Sequence, residues 1–399
     1  MKTMSYKARK EYIGQMRRRY KRAGKGYKSK LLDEVCTVCG YERKYAGKLL
    51  GNKIPAGHKK RGRKSYYEDP ALLEALKQIW KSSGCLCGKR LQPGLPLWLR
   101  DYDKHFGVLP SMVRSQLLDM SAATIDRLLR AEKARLGRMN NSGTKPGSLL
   151  KKQVLIRTDN QDIDRPGYLE ADTVAHCGGS MSGSFIWSIT YTDIITGWTA
   201  QRAVWNKGYA GVKDQTEDVE KKLPFPIRGF DTDNGGEFLN YHLIRYFQGR
   251  EHPVGFTRTR SYHKNDNAHV EQKNWTHVRS LLGYDRLDNP AMVPVINALY
   301  EVWELYNNFF CPSMKLMHKQ RKEGKYYKRY DQAQTPYQRL LKSGILSQDE
   351  KKDIQRLYEK LDPYQLKKKI DHYVRKIERM KKVAAGPHMT TTAPVNSCL

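Results

Sequence analysis

Between residues 168 and 260 five short runs, YLEAD, SFIWSITYTD, TAQRAVW, IRGFDTD and VGFTRTR, are rich in β-branched and aromatic residues. Helical patterns near 212–223, 238–247 and 267–282 fall between and after the later runs. Three strands in succession, then alternation of helix and strand, predict an α/β domain built on a mixed five-stranded sheet. A chain of 399 residues exceeds one hydrophobic core, so further modules are expected around it.

Charge says what the chain meets. The net charge is +32, and residues 1–64 alone carry 21 basic against four acidic side chains. Lys and Arg in such excess suit a polyanion, because each neutralised phosphate releases condensed counterions. Nucleic acid is the expected partner. The opening MKTMSYKARKEY lacks the apolar centre of a secretory signal, and no apolar run approaches the roughly 20 residues that span a bilayer. A soluble, cytoplasmic protein without a membrane partner is expected. Seven cysteines, an odd number scattered over a basic chain, argue against a disulfide framework.

The modules before the α/β region read as helical. Tyr6 to Arg22 forms a basic opening helix, and KSKLLDEVCTVCGYERKYAGKLLG gives two short helices about a turn at Gly40. Leu31, Leu32, Val35, Val38, Ala46, Leu49 and Leu50 supply an apolar face at helical spacing. This is a helix-turn-helix pattern over 1–51 in which Arg43 and Lys44 begin a recognition helix, although an ordinary helical hairpin has the same periodicity. Residues 52–65 form a basic linker whose RGR core resembles an AT-hook, with Lys59, Lys60, Arg61, Arg63 and Lys64 as DNA contacts. Residues 66–137 are helical again and end in a second helix-turn-helix candidate, with Ser121 as N-cap and Ile125, Leu128 and Leu129 inward. Arg127 and Arg130 point out toward DNA. A linker is expected over 138–165, a helical basic C-terminal region over 290–385, and a disordered tail over 386–399.

Within the α/β region three carboxylates are placed suggestively. Asp172 closes YLEAD, Asp233 ends the strand before an Asn-Gly-Gly turn, and Glu271 begins a helical turn in NDNAHVEQKNW. If the first and fourth strands are neighbours, both aspartates emerge together. Asn267, Glu271 and Asn274 share a polar helix face, with Trp275, Val278 and Leu282 on the buried one. Clustered carboxylates repel unless a divalent cation joins them, and hard oxygen ligands select Mg²⁺ or Mn²⁺. Two such ions suit in-line phosphoryl displacement. Asp231 and Glu170, each two residues from a candidate ligand, are rivals. His176 is read as a structural histidine or a substrate contact. Cys36, Cys39, Cys85 and Cys87 are read as buried thiols rather than a zinc site.

DTVAH, FDTDNGGEF and NDNAHVEQKN, taken in order, resemble the DDE superfamily of retroviral integrases and insertion-sequence transposases. The resemblance covers roughly residues 166–285 and implies an RNase H-like catalytic core over 166–289. It makes Asp172, Asp233 and Glu271 the catalytic and metal-binding triad, places Lys264, Asn267 and Lys273 near DNA ends, and implies about two Mg²⁺ or Mn²⁺ ions per site. No His precedes Cys36 as in the zinc module of retroviral integrases. The front end resembles instead that of bacterial insertion-sequence transposases, which implies a nucleoid-associated bacterial protein. The expected function is a transposase that binds an element's terminal repeats and cuts and joins strands into target DNA as a dimer or larger synaptic assembly. A structure-specific nuclease on the same fold, or a DNA-binding regulator with an idle core, are the alternatives.

Overall fold

A computed structural model describes residues 5–51, 66–137, 163–206, 208–232, 241–251, 253–258, 273–322 and 325–385. The chain divides into two compact units, Met1–Tyr66 and Tyr67–Leu399.

The first unit is three helices, α1 (Tyr6–Arg22), α2 (Lys25–Cys39) and α3 (Arg43–Gly51). Ser5 caps α1 by accepting the Ala8 N–H at 3.3 Å. The chain leaves α2 through Gly40, whose φ of 68° is the left-handed conformation that glycine adopts without a Cβ clash. Ile13 and Met16 of α1 close over Leu31, Val35, Ala46 and Leu50. The α1 contribution is invisible in the hairpin pattern. The Arg17 guanidinium adds a tie from α1 to the Leu49 carbonyl, its Nε at 2.7 Å. Val38, expected inside, is 42% exposed.

The second unit holds the sheet: β1 (Tyr168–Ala175), β2 (Ile186–Asp193), β3 (Thr199–Trp205), β4 (Gly229–Thr232) and β5 (Gly255–Arg258), in the order β3-β2-β1-β4-β5. β1, β2 and β3 pair antiparallel, whereas β4 joins β1 and β5 in parallel. The two modes divide where the connections change, since hairpins link the first three strands and helices the last two. Those helices are α9 (Tyr209–Lys222) and α10 (Tyr241–Gln248). A mixed five-stranded sheet is therefore present, in a chain that is otherwise mostly helical.

An edge strand exposes unpaired backbone groups, and β3 is covered by the long helix Met292–Phe310. Asn308 accepts from the Thr199 N–H at 3.0 Å and donates to its carbonyl at 2.9 Å. Asn297 brackets Ala203 in the same way at 2.7 and 3.1 Å, and Glu304 accepts the Gln201 N–H at 3.0 Å. Three side chains on one helix face thus act as a sixth strand.

The helices over residues 66–137, which we denote α4 (Pro70–Ser82), α5 (Gly88–Phe106), α6 (Ser111–Leu118), α7 (Ala122–Leu128) and α8 (Arg130–Gly137), share the core of this unit. Read from sequence as a separate domain, they bury their apolar faces against C-terminal helices. The Trp98 indole donates to the Phe310 carbonyl at 3.1 Å, and the Tyr364 hydroxyl donates to the Trp98 carbonyl at 3.1 Å. Ser121 does cap α7, accepting the Thr124 N–H at 3.2 Å, and Ile125 and Leu129 are buried.

The C-terminal region departs from an all-helical expectation. Two strands, β6 (Leu316–Lys322) and β7 (Lys325–Tyr330), form an antiparallel ribbon apart from the main sheet. KYYKRY carries three tyrosines, which favour strands, and basic composition says nothing about helicity. Three helices follow, Pro336–Lys342, Gln348–Lys360 and Pro363–Ala385. Among the described residues no helix is long and apolar enough to cross a membrane.

Candidate active site

Asp172 lies on β1 beside the β1–β4 pairing. Glu170 is in register with Asp231, and Ala171 with Thr232. The next residues along the two chains are Asp172 and Asp233. β4 ends at Thr232, whereas β1 runs on to Ala175, so Asp172 lies within β1 just beyond the stretch that pairs with β4. Ligand sites in α/β sheets usually lie at the carboxyl ends of parallel strands. The described register stops at Thr232. Asp233, Glu271, Lys264 and Asn267 lie outside the described residues, as do Lys59, Lys60, Arg61, Arg63 and Lys64.

Burial separates the rivals on β1. Residues 170, 172 and 174 share one face of the strand. Glu170 is 0% exposed, whereas Asp172 is half-buried. Asp231 is also half-buried.

A helical segment lies alongside. Asn274–Arg279 is π-wound and runs into an α-turn, Ser280–Leu282. Two side chains pin it to β1. The Asn274 amide donates to Asp172 Oδ2 at 2.7 Å, and the Arg279 guanidinium donates to the Ala175 carbonyl at 2.9 Å. Asp172 Oδ1 accepts the Thr173 N–H at 2.7 Å, so both carboxylate oxygens have an orienting donor. π-winding also changes which positions face inward. Val278 and Leu282 are buried as expected, but Trp275 is 62% exposed and His277 takes the inner position, accepting from the Trp303 indole at 2.9 Å.

His176 is structural. It is buried, with Nε2 and the Ser188 hydroxyl 2.7 Å apart and that hydroxyl 2.6 Å from Tyr300 Oη. Burial, with the Arg279 and Lys381 charges nearby, pushes its pKa down to about 3, so the ring is neutral. Lys273 is half-buried, and burial together with Arg90 and Arg339 lowers its ammonium to about 7.

The helical cations are mixed in their availability. Arg43 is exposed yet ion-paired with Asp33, and it donates to Ser29 Oγ at 2.6 Å. Lys44, Arg127 and Arg130 are exposed. Cys36 and Cys39 belong to the core of the first unit, and in the second unit Cys87 is exposed. Cys85, expected as a thiol, is disulfide-bonded. Among the described residues no three His, Cys, Asp or Glu side chains cluster as a metal site.

No family model matches the chain. Among solved structures, the BIV integrase catalytic core domain overlaps it with a TM-score of 0.28 at 14% identity, covering 44% of this chain and 95% of that one. The HTLV-2 integrase catalytic core domain, solved in complex with magnesium, gives a TM-score of 0.24 at 14% identity, covering 30% and 72%. TM-scores of this size do not establish a shared fold. Sequence relatedness is firmer: "Uncharacterized protein y4rM" of Sinorhizobium fredii (strain NBRC 101917 / NGR234) is 37% identical over 334 residues, 82% of this chain and 93% of that protein. The chain therefore belongs to the family of y4rM.

Proposed function

We propose that this protein is a DDE-type polynucleotidyl transferase, a transposase that cuts the ends of a mobile element and joins them to target DNA. One observation carries the reading: β1 and β4 are parallel neighbours, and their register reaches Ala171 and Thr232, one residue short of Asp172 and Asp233. In the proposal Asp233 meets Asp172 here. Glu271 approaches on the segment that precedes Asn274, three residues and about one helical turn away.

Asp172 fits a hard cation. It presents carboxylate oxygens in a half-buried setting, and the Asn274 amide and Thr173 N–H orient them as outer-shell donors orient a ligand. Asp172, Asp233 and Glu271 would hold Mg²⁺ or Mn²⁺. Bound there, two divalent ions stabilise the attacking and leaving oxygens of a phosphodiester. The chain's own work is to keep the carboxylates ionised, convergent and clamped to a rigid sheet. Lys264, Asn267 and Lys273 lie near the DNA ends in this reading. Lys44, Arg127, Arg130 and the basic segment 52–65 take the terminal repeats, with a dimer or larger assembly bringing two ends together.

The test supplies candidate element ends and a plasmid target with Mg²⁺, comparing the parent with Asp172→Asn, Asp233→Asn and EDTA. Nicking and joining by the parent alone supports the proposal. Nicking that survives EDTA and both substitutions overturns it, and metal-dependent cutting without joining of pre-cleaved ends reassigns the protein as a nuclease.

A further inference from the structure

The β6–β7 ribbon is chemically unlike the rest of the surface. Its described residues, Leu316–Lys322 and Lys325–Tyr330, include six Lys or Arg side chains, His318 and three tyrosines, and no carboxylate. Glu323, in the connection between the strands, lies outside the described residues, and Asp331, the first acid after β7, is used at the base: it accepts from Arg339 at 2.9 Å and from the Lys315 N–H at 2.6 Å. The base is further fastened by backbone bonds between Ser313 and Gln334 at 2.9 and 3.1 Å. Among the described side chains of the ribbon above it, neither face is buried. Gln320, Tyr327 and Arg329 are exposed, as are Arg321, Tyr326 and Lys328 at the neighbouring register positions.

Register sharpens the point. By backbone register position 319, a lysine, stands opposite Lys328, and position 322 opposite position 325, both lysines. Like charges directly opposite each other destabilise a strand pair, and a two-stranded ribbon is marginal in water even without them. An anchored ribbon that exposes Arg321, Lys328 and Arg329 together with three tyrosines is suited to a polyanion. A two-stranded β-ribbon fits the major groove of B-DNA, and at ~3.3 Å per residue this one is about 20 Å long.

We propose that the β6–β7 ribbon is a double-stranded DNA-binding element, seated along the duplex with Arg321, Lys328 and Arg329 on phosphates and the tyrosines against the groove wall. The choice of duplex DNA over RNA rests on the transposase reading.

The experiment uses the full chain in EDTA, so that ribbon binding and metal chemistry are read separately. Affinity for a random 30-base-pair duplex, and for an RNA hairpin of similar length, is measured from 50 to 300 mM salt. The variant R321A/K328A/R329A is compared with K352A/R356A/K360A, which removes the same charge from exposed positions on helix Gln348–Lys360. Each lost phosphate contact lowers the slope of log K against log salt by about 0.9. The ribbon variant is expected to bind duplex at least about tenfold more weakly at 100 mM salt, with a slope shallower by about 2 to 3 and an unchanged melting temperature. An unchanged slope, an equal loss in the helix variant, or a loss confined to RNA overturns the proposal.

Discussion

The Asn274 amide meets the Asp172 carboxylate at 2.7 Å, joining the π-wound helix to the first strand across 102 positions of sequence. The bond fixes the rotamer of the one candidate ligand that the structure describes, and it aligns the helix whose preceding segment carries Glu271. A carboxylate that must serve a cation gains from an outer donor, because a wandering ligand costs affinity.

Asn274→Ala should therefore reduce metal-dependent strand cleavage by about 10- to 100-fold, with a higher Mg²⁺ requirement and little change in melting temperature. A Mg²⁺ titration of nicking checks this. An unaltered titration curve would mean that Asn274 does not position Asp172 for metal.

Asn308 is buried and supplies both a donor and an acceptor to the Thr199 backbone. Asn308→Leu leaves two buried backbone groups unpaired at about 1–3 kcal/mol each. A loss of about 2–5 kcal/mol in urea unfolding is expected, together with a tendency to associate through the uncovered edge of β3. Unfolding within about 0.5 kcal/mol of the parent would show that Asn308 does not stabilise this edge.

His176 provides a pH dependence. Its pKa is about 3 in the folded chain against 6.5 for the ordinary side chain, so between those values the unfolded state binds more protons. Stability contributed by keeping this ring neutral is present above pH 6.5 and lost as pH falls toward 3. The chain should be markedly less stable at pH 4.5 than at 7.5, and His176→Gln should flatten that difference while lowering stability at 7.5. Urea midpoints at the two values decide it. An equal acid loss in parent and variant would remove His176 as the cause.

Lys273 has a folded pKa near 7, so its charge is lost across the physiological range. If it lies at DNA ends, affinity for a short duplex end should fall as pH rises from 6 to 8, and Lys273→Arg, which stays charged, should remove the fall. A pH-independent affinity in the parent argues against that role.

Much of the α/β framework was legible because period and propensity agreed. All five strands lie where β-branched runs predict them, and the opening helix has the bounds read from its pattern. The neighbouring of β1 and β4, posed as a condition for the site, is observed. Partners were harder to read than faces. The apolar positions of residues 66–137 announce burial, but nothing local says that Trp98 packs under Phe310, more than two hundred residues on. Likewise, heptad-like spacing assumes α-winding, so the π-wound segment turned Trp275 outward and His277 inward. At the site, the contrast between buried Glu170 and half-buried Asp172 on one strand face is something alternation alone does not supply.

In the proposed site Asp172, Asp233 and Glu271 converge on shared divalent ions. Fe²⁺ substituted into the site, with ascorbate and peroxide, generates hydroxyl radicals that cut the backbone nearest the metal. Cuts are expected beside all three positions in the parent, suppressed by excess Mg²⁺ and by Asp172→Asn. Cuts at one position alone, or a pattern indifferent to Mg²⁺ and to the substitution, would contradict it.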